Sequence, residues 1–188
     1  MGMDLKHFSI IAAFRAKDRG IGYENTIPWD KPHDLVFFRK ETTKDCKEGV
    51  KNMIIMGRCT FESLNCKPLK HRINVVITSQ VELWQTKEYV DTYFVSSLNK
   101  ALELNFSNCT IRHRFVIGGE KLYFDAIQHP FCTELIISVI CDSYIDSENN
   151  DILCDRFFPR IDYDIYNCRG NIDSEHGVMF IRYIRKSI

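Results

Sequence analysis

Asp34 is a carboxylate standing where an amphipathic helix should bury apolar side chains. If the segment after Pro32 is helical, Asp34 shares a stripe with Phe37 and Phe38, and Leu35 lies beside it. Arg39 and Lys40 mark the far end of that helix. Two chemistries fit. Asp34 can sit in the first helical turn, where a negative charge meets the positive end of the helix dipole. Alternatively, it can be held in an apolar cleft to bind a cationic or amidine-like part of a ligand. Two other stretches could receive phosphate: Phe115-Val-Ile-Gly-Gly-Glu-Lys-Leu-Tyr123 and Met53-Ile-Ile-Met-Gly-Arg-Cys-Thr60. Each runs from an apolar segment through glycine. Glycine allows close backbone approach, and a helix N-terminus offers free N–H groups to an anion. Either junction alone could be a tight turn; together they suggest two halves of a site for a phosphate-bearing cofactor. Neither is a G-x-G-x-x-G fingerprint, and Gly20-Ile-Gly22 is too weak to count as one.

The elements that must position these residues are legible as apolar runs. Residues 9–14, 53–56, 73–78, 115–117 and 135–140 read as strands apolar throughout, which implies a sheet covered on both faces. Helices are expected at about 33–42, 59–65, 97–104 and 120–128, giving the alternation of a mainly parallel α/β sheet. Residues 163–169 and 178–185 read as an antiparallel closing pair joined by a polar segment, Gly170 to Gly177. Arg112-His113-Arg114 and the insertion at 147–153 read as loops without an assigned role. There is no proline-rich linker, repeat or low-complexity tract, so residues 1–188 are expected to form a single domain.

Composition supports that class and narrows the partners. A chain of 188 residues with 45% hydrophobic content can build a sizeable core. Lysine plus arginine and aspartate plus glutamate both number 25, a net charge of zero that points to neither nucleic acid nor a membrane surface. The eight cysteines are scattered through apolar segments without a C-x-x-C pair, so they are read as reduced packing residues, and no metal site is expected. The apolar run near the N-terminus is too short for a signal peptide, and Lys6 does not fit a myristoylation signal. The expected compartment is the cytoplasm, where the sequons at Asn105 and Asn108 would be chance matches.

The order of motifs resembles the dihydrofolate reductase family over almost the whole chain. Residues 21–29 resemble the family's mobile substrate loop, and Trp29-x-x-Pro32-x-Asp34-x-x-x-Phe38 its pterin-binding segment. Then follow Met56-Gly-Arg-x-Thr-Phe-Glu-Ser63, Pro68-Leu-x-x-Arg72, Val116-Ile-Gly-Gly-x-x-x-Tyr123 and Asp155-Arg-Phe-Phe-Pro159. The resemblance implies an α/β single-domain fold: an eight-stranded, mostly parallel sheet with an antiparallel C-terminal edge and four flanking helices. It implies reduction of dihydrofolate to tetrahydrofolate with NADPH, binding of antifolate inhibitors, and a monomer without a fused thymidylate synthase.

Site residues follow from the same resemblance. Asp34 would pair with the amino group and adjacent ring nitrogen of the pterin, two donors matched by one carboxylate. Trp29 and Ser138 would orient it, and Tyr123 would lie near the nicotinamide. Ile11, Ala12, Ile27, Leu35, Phe38, Ser63, Leu64, Leu69 and Ile117 would surround the substrate, while Arg72 would bind its α-carboxylate. Ala13, Ile21 and Gly22 would face the nicotinamide of NADPH. Gly118, Gly119 and Thr60 would receive the pyrophosphate, Ile117 would also lie near the nicotinamide ring, and Gly57, Glu120, Lys121 and Leu122 would complete the cofactor site. Arg58 would contact the extra ribose phosphate, with Cys59, Thr78 and Ser79 nearby. Cys59 is a departure, since many relatives carry lysine or histidine there. Two rivals remain: a pteridine or riboflavin-pathway reductase, and a non-catalytic folate or nucleotide binder.

Overall fold

The computed structural model describes residues 6–141, 153–175 and 177–187. In chain order the elements are β1 (Phe8–Arg15), β2 (Gly20–Gly22), α1 (Pro32–Thr43), β3 (Val50–Gly57), α2 (Arg58–Ser63), β4 (Arg72–Ile77), α3 (Val81–Gln85), β5 (Thr92–Val95), α4 (Leu98–Leu102), β6 (Thr110–Gly118), α5 (Glu120–Gln128), β7 (Cys132–Ile140), β8 (Arg156–Phe157), β9 (Tyr166–Glu175) and β10 (Val178–Arg185). Eight strands form one sheet in the order β5-β4-β3-β6-β1-β7-β10-β9, and β2 pairs with β8 in a separate ribbon. The strands from β5 to β7 run parallel, because helical crossovers return the chain to the same end of the sheet. The last two strands are antiparallel.

The apolar runs form strands because alternate side chains leave on opposite faces, and both faces are covered. Ile10, Ile55, Val75, Val116 and Ile137 join one core cluster, closed by Ala101 and Leu102 of α4 and by Leu122, Ala126 and Ile127 of α5. Their neighbours Ile11, Ile54, Val76, Phe115 and Ile136 join a second, closed by Phe61 of α2 and Trp84 of α3.

The structure departs from the sequence reading in four places. There are five helices among the described residues, not four, because the short α3 forms around Trp84, whose ring stacks on Phe94 at 5.5 Å. Strands β2, β5 and β8 are too short to show a period of their own. The polar stretch expected as a connector belongs largely to β9, which stays paired with β10 as far as Glu175. Backbone ladders do not require apolar side chains. Arg112, His113 and Arg114 lie within β6 rather than in a loop, and the His113 N–H donates to Asn52 Oδ1 at 3.1 Å. The insertion at 147–153 lies outside the described residues, except for Leu153.

Candidate active site

A cleft of about 550 Å³ opens at the carboxyl ends of the parallel strands, where open α/β sheets commonly hold their ligands. It is lined by Ile11, Ala12 and Ala13 of β1, Asp34, Leu35, Phe38 and Arg39 of α1, Ile117 and Gly118 of β6, and Ser138 of β7. Ile21, Gly22, Asn25, Thr26, Ile27 and Trp29 cover one side; Cys59, Thr60, Ser63, Leu64, Leu69 and Arg72 form another. Gly119, Glu120, Tyr123 and Arg156 complete the wall. A second recess, of about 730 Å³, lies beside β5, but its charged residues Lys87 and Glu88 are exposed.

Pro32 opens α1 with the fixed φ suited to a first helical position. No side chain caps this helix, so Asp34 lies in its first turn without serving as the cap. Its side chain belongs to the cleft and is only 7% exposed. Burial pushes the Asp34 carboxyl above the ordinary aspartate range, and the Ser138 hydroxyl partly offsets this by hydrogen bonding to the charged form. Ser138 sits in β7 between Ala13 of β1 and Phe180 of β10 and is itself buried. Among the described residues, no lysine, arginine or histidine pairs with Asp34. Tyr123 is buried as well, and its hydroxyl donates to the Ile11 carbonyl at 3.0 Å. Burial, with the nearby Asp34 charge, holds that phenol protonated. Trp29 packs with Ile140, Val178 and Phe180. Phe37 leaves the cleft to stack on Phe180 at 4.1 Å, while Phe38 faces the cleft.

At the other end of α1, the buried Arg72 is fixed by polar contacts. Its Nη1 donates to Thr42 Oγ1 at 2.7 Å and its Nε to the Lys70 carbonyl at 3.1 Å. Burial first, and the neighbouring Arg39 second, lower its pKa. Asn74 shapes the adjoining turn: Oδ1 accepts from Leu69 N at 2.9 Å, and Nδ2 donates to the carbonyls of Leu69 and Arg72. Thr42 and Asn74 were not among the sequence candidates. Their signals were a threonine one turn beyond Phe38 and a lone amide inside the apolar run of β4.

The two glycine junctions meet because β3 and β6 are neighbours, with Met56 opposite Gly118. A Cβ added to Gly57 would lie 3.7 Å from Gly119 N, and one added to Gly118 or Gly119 would lie 3.2 Å from Thr60 Oγ1. Gly118 has φ of +137°, which side chains disfavour, and the Gly118–Gly119 peptide is cis. These contacts leave a backbone cradle at the start of α5 suited to a phosphate group. Glu120 Oε1 accepts Phe157 N at 2.8 Å, so its carboxylate is tied to β8.

Other cofactor candidates lie around or behind the cleft. Arg58 forms an ion pair with Glu62 at 2.6 Å and does not line the cavity. Gly57 adjoins the cradle without lining the cavity. Thr78 is buried, and its hydroxyl accepts Gln80 N at 3.1 Å; Ser79 is exposed. Lys121 is exposed, and Leu122 belongs to the core.

The covering segment is anchored at its base. Gly20 and Gly22 pair with Phe157 and Arg156, and Asp155 N donates to the Gly22 carbonyl at 3.0 Å. A Cβ on Gly20 would collide with Cys154 Sγ, so only glycine fits there without a shift. Beyond β2, Glu24 and Asn25 adopt positive φ of 47° and 62° in a turn closed by Thr26 N and the Tyr23 carbonyl.

The family model described as dihydrofolate reductase matches residues 7–183. A dihydrofolate reductase of Schistosoma mansoni is 34% identical over 156 residues, covering 77% of this chain and 74% of the relative. One from Pneumocystis carinii is 37% identical over 152 residues, covering 74% and 68%. A bifunctional dihydrofolate reductase-thymidylate synthase of Glycine max is 32% identical over 185 residues, or 94% of this chain. This chain spans only 33% of that longer relative. In fold, the chain is similar to the dihydrofolate reductase from Enterococcus faecalis complexed with NADP(H) and RAB-propyl, with a TM-score of 0.73, 24% identity and coverage of 97% and 98%. With its sheet order, glycine cradle and buried aspartate all set within the matched span, the chain belongs to the dihydrofolate reductase family.

Proposed function

We propose that this chain reduces dihydrofolate to tetrahydrofolate with NADPH, and that antifolate inhibitors compete for the same cleft. The observation that carries this reading is Asp34: a buried carboxylate, unpaired by any cation among the described residues, at the inner end of a mainly apolar cleft. Such a group favours a ligand that brings two parallel donors. The amino group and neighbouring ring nitrogen of a pterin supply them.

NADPH, when bound, supplies the hydride that adds to pterin carbon 6. The cradle of Gly118, Gly119 and Thr60 fits its pyrophosphate, and Ala13 and Ile21 border the space for its nicotinamide. Asp34 holds the pterin in register and favours protonation of the adjacent ring nitrogen, to which a water delivers the proton. Ser138 and Trp29 position Asp34, and Tyr123 fixes the β1 backbone through Ile11. Leu35, Phe38, Leu64 and Ile117 exclude bulk water from the reacting ring. Arg72 anchors the α-carboxylate at the far end. Arg58 reaches the ribose phosphate by exchanging its Glu62 partner.

Among the described residues, no helix is long and apolar enough to cross a membrane. A cytoplasmic monomer formed from one domain is part of the same proposal. The test is dihydrofolate-dependent oxidation of NADPH by the purified chain, followed at the nicotinamide absorbance. Turnover to tetrahydrofolate is the expected result; binding without turnover would favour a non-catalytic folate binder.

A further inference from the structure

Resting on the NADPH part of that reading, we propose that Arg156 of β8 is a further cofactor residue, the cation that meets the pyrophosphate of a nicotinamide dinucleotide. Three arginines line the cleft among the described residues: Arg39, Arg72 and Arg156. Arg39 and Arg72 share one end, where the charge of Arg39 is felt by Arg72. Arg156 stands at the other, beside the glycine cradle.

The β2–β8 ribbon carries Arg156 to that rim. Arg156 pairs with Gly22, and a Cβ added to Gly22 would lie 4.0 Å from Arg156 Cβ, so both residues turn the same face to the cleft that they line. The next residue, Phe157, donates its N–H to Glu120 Oε1 at 2.8 Å, and Glu120 opens α5 directly after Gly118 and Gly119. The backbone of β8 is therefore tied on both sides, to the covering segment and to the start of α5. The guanidinium is held less firmly. It is half-exposed; its Nη1 donates to the Asp155 carbonyl at 2.7 Å and stands 3.7 Å from Asp155 Oδ2. An ion pair this long and this open to water exchanges readily for a stronger anion, and only the side chain has to turn.

Charge balance selects the ligand group. A pyrophosphate bridge carries two negative charges, and Glu120 places a third at the same rim. The backbone N–H groups of the cradle and the hydroxyl of Thr60 supply only partial charges against them. Arg58, between Gly57 and Thr60 in sequence, lies outside the cavity with Glu62 at 2.6 Å. Arg156 is thus the lining cation on this side, and a guanidinium can hold two phosphate oxygens at once. The two arginines then divide the cofactor. Arg58 reads the ribose phosphate peculiar to NADPH, and Arg156 holds the pyrophosphate that NADPH shares with NADH.

The test measures binding rather than turnover: calorimetric titration of NADPH, NADH and adenosine 2′-monophosphate, the last of which has the ribose phosphate but no pyrophosphate. The proteins are the unaltered chain, Arg156→Ala, Arg156→Lys and the control Arg160→Ala, which removes an exposed arginine of the same segment that does not line the cleft. Arg156→Ala should weaken NADPH and NADH alike, about threefold to tenfold at low salt and less at high salt, and leave adenosine 2′-monophosphate unchanged. Arg156→Lys should recover most of the loss, and Arg160→Ala should match the unaltered protein. A loss confined to NADPH, an equal loss for adenosine 2′-monophosphate, or no loss for either dinucleotide would overturn the assignment. Failure of the unaltered protein to bind either dinucleotide would overturn the NADPH reading itself, and this proposal with it.

Discussion

Thr42 Oγ1 joins α1 to the far end of the cleft: it donates to the Phe38 carbonyl at 2.7 Å and accepts Nη1 of Arg72 at 2.7 Å. The hydroxyl thereby fixes a buried guanidinium that would otherwise have several poses. Thr42→Val keeps the shape but removes the acceptor, so the KM for dihydrofolate should rise about tenfold, within the range for a hydrogen bond to a charged group. Thr42→Ser should recover most of it. Steady-state kinetics check this, and a kcat loss matching the KM rise would assign Thr42 to the chemical step instead.

Asp34→Asn should separate stability from activity. The folded protein holds the Asp34 proton more tightly than the unfolded chain, because burial raises this pKa. The stabilisation from that proton is therefore fully present below the ordinary aspartate pKa and lost as pH rises through the higher folded value. At neutral pH the unaltered protein bears a buried charge that asparagine avoids. The variant should melt about 2–4 °C higher there, with the gap closing as pH falls toward the ordinary aspartate range. Turnover should fall by roughly a hundredfold to ten-thousandfold. Melting curves across pH, alongside assays, measure both; a variant less stable at neutral pH would contradict the burial argument.

Arg58 and Glu62 make opposite predictions about cofactor choice. Because Glu62 holds the guanidinium at 2.6 Å, an incoming ribose phosphate must compete with it. Arg58→Ala should raise the KM for NADPH about tenfold and leave that for NADH nearly unchanged. Glu62→Gln should lower the KM for NADPH. Equal effects of Arg58→Ala on both cofactors would place Arg58 at the shared pyrophosphate.

The covering segment should respond to cofactor. Residues 20–22 are tied to β8, whereas the turn at Glu24 and Asn25 has exposed side chains. Hydrogen exchange at residues 23–28 should slow when NADPH and a folate bind, while the paired backbone of β2 changes little. Equal exchange in the free and bound protein would remove the lid from the account.

Much of this architecture was legible in the sequence, and the omissions have physical causes. The buried runs around Ile10, Ile54, Val75, Val116 and Ile136 announced the parallel strands, because a strand covered on both faces is apolar at every position. Strand β9 was cut short because pairing through the backbone leaves no mark in side-chain polarity. Asp34 was visible as a charge on an apolar stripe, but choosing between a helix-end role and a ligand role required its burial. The meeting of Gly57 with Gly118 and Gly119 depends on the adjacency of β3 and β6, which are separated by two other strands in sequence. Thr42 and Asn74 escaped notice because their importance lies in which distant groups they face.

The most direct test of the central claim is to supply dihydrofolate and NADPH deuterated on the transferring face of nicotinamide carbon 4, and to locate the label in the product by NMR. Hydride transfer to the pterin predicts tetrahydrofolate carrying deuterium at carbon 6, formed by the unaltered protein and almost lost in Asp34→Asn. Unlabelled product, or labelled product formed equally well without the Asp34 carboxylate, would contradict it.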